Sequence, residues 1–239
     1  MGRLAVVGGH TILGLALDDA LGMAGRERQV PVPGGPVHVV DAGDVVFLQR
    51  HGHAPYVPAH RVDHHAHAAA LAAVGCDRVL AVASVGGLHL RYPVGSVIVP
   101  DDFVALAAQP GSRFADGRGH SVPGFDPAWR ARIVAAWNAH APEAATDGGV
   151  YWQTTGPRFE TPAEVRVLAT HADVVGMTAG SECVAFGERG LAYAVVSVVD
   201  NLANGLADAA LTVDEFETGK AANRAMVVAA LRGVIPELA

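Results

Sequence analysis

Charge is scarce in this chain. Lys, Arg, Asp and Glu together make up 17% of the 239 residues, and the acids outnumber the bases 24 to 17. A formal charge of −7 leaves no basic stripe able to displace counterions, which argues against a nucleic-acid partner. Cysteine is scarcer still. Cys76 and Cys183 have no CxxC spacing and are expected as buried free thiols in a reducing cytoplasm. No apolar run reaches the length of a membrane span, and the start MGRLAVVGGH lacks a signal-peptide pattern, so no membrane is expected. What is abundant is apolar: 51% of the residues are hydrophobic, enough to fill one sizeable core. One domain over residues 1–239 is the expectation.

Strand-like and helix-like runs alternate. LAVVGG (4–9), VHVVDAG, DVVFLQR, DRVLAVASVGG (77–87), GSVIVPDDFVAL, VYWQTTGP (150–157), DVVGMT (173–178) and AYAVVSVVDN (192–201) read as strands. Helices are expected at 66–75, stopped by Gly75, at 127–140, in TPAEVRVLATH with Thr161 as cap and Pro162 just inside, and in the closing TVDEFETGKAANRAMVVAALRGVI. Continuous apolar strands between helices imply an α/β fold whose central sheet is covered on both faces. The stretch 107–126 is the one long irregular segment, and loops of that length are usually functional or mobile.

Residues 51 to 71, HGHAPYVPAHRVDHHAHAAAL, hold six of the twelve histidines. His60, His64 and His67 fall at i, i+4, i+7 and could share one helical face as metal ligands. Only Asp63 lies close by to orient them, and zinc sites usually take a further ligand from elsewhere, so no metal is expected. The dense DHHAH reads instead as the start of a scaffold helix. Just upstream, Arg50 beside His51 at a strand end suits bidentate phosphate contact, with a surface arginine as the plainer alternative. GGHTILG (8–14) offers small residues and the Thr11 hydroxyl to an oxyanion, or is an ordinary turn. ASVGGL brings Ser84 to another glycine turn and VGMT brings Thr178 to a third strand end. Together these strand ends and one arginine make a phosphate pocket plausible.

The order RHG…PAHRVDHHAHAAAL, VASVGGLHLRYPVGSVIVPDDFV, TTGPRFETPAEVRVLATHADVVGMT and YAVVSVVDN resembles the trimeric purine nucleoside phosphorylase and methylthioadenosine phosphorylase family over nearly the whole chain. GPRFETPAE followed by DVVGMT is its most specific piece. The resemblance implies a mixed central β-sheet bent into a partial barrel and flanked by helices. It further implies a homotrimer or dimer of trimers, no metal or organic cofactor, and inorganic phosphate as co-substrate. Such enzymes split a purine nucleoside into free base and ribose 1-phosphate.

Carried over by residue, the resemblance assigns Arg50, His51, the backbone N–H of Ser84 and the hydroxyl of Thr178 to phosphate, with His10 or Thr11 in the phosphate loop. Phe159 stacks on the base, which Glu160 and Asn201 hydrogen-bond. Met177 lies under the ribose, Val213 at its 5′ end, and His120 reaches a neighbouring subunit's site. Glu160 with Asn201 implies 6-oxopurines, and Val213 leans towards a 5′-methylthio group. GSEC at 180–183 departs from the family, where Pro-Glu is usual. Chemically, an ionised Glu160 can only accept, which suits the N1–H of hypoxanthine or guanine and opposes adenine. Asn201 can donate where negative charge builds on the leaving base, a large catalytic effect. The plainer reading of Glu160 is a carboxylate serving a helix N-terminus, and of Val213 a helix-core residue. Rival functions are a methylthioadenosine phosphorylase preferring 6-aminopurines, a phosphate-independent nucleosidase, a metal-dependent hydrolase and a nucleotide-sensing module.

Overall fold

The computed structural model describes residues 2–15, 21–108, 111–207 and 212–239, so part of the irregular stretch 107–126 lies outside it. In chain order the strands and helices are β1 (Arg3–Gly8), β2 (Arg26–Val30), β3 (Val37–Ala42), β4 (Val45–Gln49), α1 (His64–Ala73), β5 (Cys76–Gly87), β6 (Val97–Val99) and β7 (Asp102–Val104). Then come α2 (Pro127–His140), β8 (Ala145–Asp147), β9 (Val150–Gln153), α3 (Pro162–Leu168), β10 (Val174–Gly176), α4 (Ala179–Gly187), β11 (Ala192–Leu202) and α5 (Val213–Leu238).

The two longest strands show why the sheet is covered twice. Along β5, Val79, Ala81, Ala83 and Val85 join one core cluster, while Leu80 and Val82 join another. β11 alternates likewise, with Tyr193, Val195 and Val199 on the first side and Ala194, Val196 and Val198 on the second. Side chains of a strand alternate between faces, so a strand apolar at every position needs a helical layer on each side. The first cluster takes Leu71 of α1 and Cys183 and Phe186 of α4; the second takes Trp129, Ile133 and Trp137 of α2 and Leu231 and Val234 of α5.

The sheet forks at β5. From it one arm runs through β10 and β9 to β7, and the other through β11 and β6 to β8, while β1, β4, β3 and β2 extend the opposite edge. β6 and β7 lie on different arms yet only Pro100 and Asp101 separate them in the chain. The chain thus crosses from one arm to the other within two residues, without a strand pairing that joins them among the described residues. β1, β4, β5 and β11 run parallel and end on one side, which sends their carboxyl ends to a common region.

Helix starts follow the expected capping chemistry. Thr161 and Glu164 form a reciprocal capping box at α3, with Pro162 inside the first turn. Asp63 accepts from the Ala66 N–H at 2.9 Å, so α1 begins at His64. Gly75, just past α1, takes the left-handed φ of +84° that a helix stop requires. Five features depart from the sequence expectation, and the first is that GSVIVPDDFVAL, read as one strand, breaks at Pro100 and Asp101 into β6 and β7. β2 (RERQV) exposes four of its five residues, so no apolar pattern marked it. β8 is three residues long and went unread for the same reason. The 150–157 strand ends at Gln153, and α4 was not foreseen. Among the described residues no helix is long and apolar enough to cross a membrane.

Candidate active site

A cavity of about 590 Å³ opens at the carboxyl ends of the parallel strands. Its walls contain His10, Arg50, His51, Ser84, Phe159, Glu160, Met177, Thr178, Asn201 and Val213, so ten of the twelve expected site residues meet in one place. Thr11 lies one layer behind, 1% exposed, with its hydroxyl 2.7 Å from Ser84 Oγ. His120 is not among the lining residues. It ends an exposed 3-10 turn, Gly117–His120.

Arg50 differs from expectation in its partner. It is fully buried, and its Nε and Nη2 donate to the two carboxylate oxygens of Glu182 at 2.5 and 2.8 Å, while Nη1 donates to the Val82 carbonyl at 2.8 Å. The bidentate face expected for phosphate is therefore taken by a carboxylate. One N–H on each of Nη1 and Nη2 remains for an anion. Gly9 is required beside it, since a Cβ there would stand 2.4 Å from Nη1 and 2.7 Å from the Val82 oxygen. Glu182, on α4, also accepts from the Tyr193 hydroxyl at 2.6 Å. Burial pushes the Glu182 carboxyl up, but the charge and hydrogen bonds of Arg50 outweigh it and hold the group ionised, far below the usual carboxylate range. GSEC thus keeps the acid of the expected Pro-Glu pair, with Ser181 in the proline's place.

The two cavity imidazoles are kept neutral. Burial, then the charges of Lys220 and Arg50, lower His10 to about 4; burial, His10 and Arg50 lower His51 to about 3. Their rings lie 4.0 Å apart. His51 Nδ1 bonds the Val57 carbonyl at 2.9 Å and is thus its protonated nitrogen, and His10 Nε2 lies 2.8 Å from the Tyr56 hydroxyl. Thr178 is the N-cap of α4, yet its side chain makes no capping bond.

At the other end, Glu160 stands outside α3. Its carboxylate accepts from Thr154 Oγ1 at 2.7 Å, and the capping bond at the start of α3 comes from Glu164 instead. Asn201 is 8% exposed and donates one Nδ2 hydrogen to the Leu202 carbonyl at 2.9 Å, which leaves the second. Met177 packs against Gly156, whose φ of +68° and whose 2.4 Å distance from a would-be Cβ to the Met177 sulfur both demand glycine. Val213 opens α5 and is 66% exposed at the mouth, which removes the helix-core alternative. Phe216, Glu217 and Lys220 line the wall from the same helix. Their spacing from Val213, at i+3, i+4 and i+7, marks one helical face and was legible in LTVDEFETGK.

The histidine-rich stretch divides as its capping predicts. His60 sits in a separate 3-10 turn, Ala59–Arg61, so the i, i+4, i+7 face does not form. Among the described residues no three His, Cys, Asp or Glu side chains are grouped to hold a metal ion.

Residues 5–236 match the model of the phosphorylase superfamily. The chain is 36% identical to the "probable 6-oxopurine nucleoside phosphorylase" of Archaeoglobus fulgidus, over 89% of this chain and 87% of that protein. It is also 36% identical to the "probable S-methyl-5'-thioinosine phosphorylase" of Methanosarcina acetivorans, over 81% and 76%. Among solved structures, methylthioadenosine phosphorylase from Schistosoma mansoni in complex with adenine superposes with a TM-score of 0.82 over 99% of this chain and 91% of that one, at 22% identity, a likeness of fold.

Proposed function

The chain belongs to the phosphorylase superfamily, and from that premise we propose that it cleaves the N-glycosidic bond of 6-oxopurine nucleosides with inorganic phosphate. The products are the free purine and a ribose 1-phosphate, 5-methylthio-substituted or not. One observation carries the reading: Glu160 and Asn201 face the same cavity whose inner end holds Arg50, His51, Ser84 and Thr178.

In this reading the base stacks on Phe159 and gives its N1–H to Glu160, which Thr154 holds in place at 2.7 Å. Asn201 donates its free hydrogen to O6 or N7 as the bond to the sugar breaks and the base gains electrons. Met177 supports the ribose, and Val213 with Phe216 receives the 5′ substituent. Phosphate, held by the remaining N–H groups of Arg50, by Thr178 and by the Ser84 region, attacks the cationic sugar carbon from the other side. The work is positioning and charge placement, with no covalent enzyme intermediate. His120 reaches an adjacent subunit's site in a homotrimer or a dimer of trimers. The enzyme works in the cytoplasm, a placement supported by two unpaired buried cysteines.

A second reading has one observation in its favour. Glu182 cancels the charge of Arg50, and a cavity without a net cation suits water as nucleophile. Base release from inosine with and without phosphate separates the two. Turnover that vanishes without phosphate supports the phosphorylase; undiminished turnover makes the protein a nucleosidase. Running adenosine, methylthioadenosine and methylthioinosine beside inosine tests the base, and adenosine as best substrate would overturn the roles of Glu160 and Asn201.

A further inference from the structure

Asp200 is a carboxylate that the proposed chemistry leaves without a task. It sits at a bulge in β11: Val199 pairs with Val85 and Asn201 with Gly86, so Asp200 has no partner of its own in β5. Bulges next to sites redirect side chains. Here the side chain is 1% exposed behind the inner wall of the cavity. Its Oδ1 accepts from Asn223 Nδ2 at 2.7 Å, and its Oδ2 accepts from Thr11 Oγ1 at 3.2 Å. Thr11 in turn touches Ser84 Oγ at 2.7 Å, and Ser84 is in the cavity wall. The fold holds α5 tightly against this point, for a Cβ on Gly219 would come within 1.8 Å of the Asp200 carbonyl oxygen.

Counting charges makes the problem plain. Arg50 is paired with Glu182 and Lys220 with Glu217. Glu160 is a further acid in the wall, and both cavity histidines are neutral near pH 7. The region is already net negative through Glu160, and an ionised Asp200 adds a second uncompensated charge at the inner end, hostile to a phosphate dianion. Counting hydrogens sharpens it. With Asp200 ionised, Asp200, Thr11 and Ser84 share two hydroxyl hydrogens, and the carboxylate is the strongest acceptor for both. Ser84 then presents only lone pairs to the cavity. One added proton gives the three groups three hydrogens, and the Ser84 hydroxyl becomes free to donate outward.

We propose that Asp200 takes up a proton from solvent when phosphate enters, and that this proton converts the Thr11–Ser84 pair from acceptor to donor towards the anion. Asp200 is thus a positioning residue, acting through two hydroxyls, and the inference rests on the phosphorylase reading. Burial raises the Asp200 carboxyl above its ordinary value against the pull of Asn223, Ser84, Thr11 and, from α5, the charge of Lys220. A group so placed gains a proton readily when an anion arrives. Lys220 is the charged group acting on it, and the other elements packed here contribute the neutral Thr11, Ser84 and Asn223.

The test compares wild type with Asp200→Asn, whose amide donates to Thr11 at every pH. Calorimetry of inorganic phosphate binding in two buffers of different ionisation heat counts the protons taken up. Up to one more proton is expected in wild type than in the variant. The ratio of wild-type to variant phosphate KM, in which phosphate's own ionisation cancels, is expected to rise by up to about tenfold per pH unit above the Asp200 ionisation. Equal proton counts with a flat KM ratio overturn the proposal and assign any uptake to His10 or His51. If Asp200→Asn does not fold, Asp200→Ser, also without a carboxyl, takes its place. Absence of phosphate binding together with phosphate-independent base release would instead remove the phosphorylase reading, a distinguishable failure.

Discussion

Arg50 and Lys220 each carry a positive charge to the wall of one cavity, and they are held in opposite ways. Arg50 is 1% exposed and its partner Glu182 fully buried, on a helix 132 residues away in the chain. Lys220 pairs with Glu217 one turn earlier on the same helix, and that carboxylate is half in water. Removing one member of a buried pair leaves an uncompensated charge and costs about 3–5 kcal/mol, whereas an i,i+3 pair on a helix surface is worth roughly 0.2–0.5 kcal/mol. The inner end of the cavity is therefore continuous with what keeps the protein folded. The mouth can change without threatening the fold, and specificity is free to vary there.

Glu182→Ala should break the contrast most severely, lowering stability by about 3–5 kcal/mol in a denaturant titration. A loss under about 1 kcal/mol would mean that Arg50 finds another partner and that the inner end is not built as described. Asn201→Ala should leave the unfolding midpoint nearly in place while kcat for inosine falls about 100- to 1000-fold. Equal losses of stability and rate would blur the division between folding and chemistry. Next comes Glu160→Gln. Losing a hydrogen bond to a charged group, about 1.5–3 kcal/mol, should cut inosine kcat/KM by roughly 10- to 150-fold while sparing adenosine. Val213→His should shift the ratio of methylthioinosine to inosine turnover by about 1 kcal/mol, roughly fivefold towards inosine, because the site is mostly exposed. Smallest is Glu217→Gln, expected to change stability by less than roughly 0.5 kcal/mol; a loss matching that of Glu182→Ala would erase the contrast.

Much of the site was legible because parallel strands deliver their ends to one side. RH after β4, ASVGG in β5 and VVDN in β11 had to converge once the alternation implied a parallel core. Pairings across long separations were not legible. Nothing local in GSECVAFG says that Glu182 turns inward to Arg50, and the glycines flanking that short helix hide its period. The sequence placed His10 and Thr11 as alternatives for one role, whereas the chain turns so that His10 faces the cavity and Thr11 lies behind it. With Thr161 as cap the third helical position falls on Glu164, and the structure gives the capping bond to that residue while Glu160 bonds Thr154. The face that His60, His64 and His67 could have shared fails to form for a related reason: spacing implies a shared face only if one helix spans it, and Asp63 starts that helix after His60.

The close approach of Gly219 to the Asp200 carbonyl also has a mechanical consequence. It acts as a fulcrum for the last helix, with the long arm anchored among Val227, Leu231 and Val234 and the short arm carrying Val213 and Phe216. Val213 lies six residues from the fulcrum, about 9 Å along the axis at 1.5 Å per residue. A tilt of a few degrees about this point would swing Val213 and Phe216 together, so a larger residue at Gly219, outside the cavity wall, would alter the entrance without touching what passes through it.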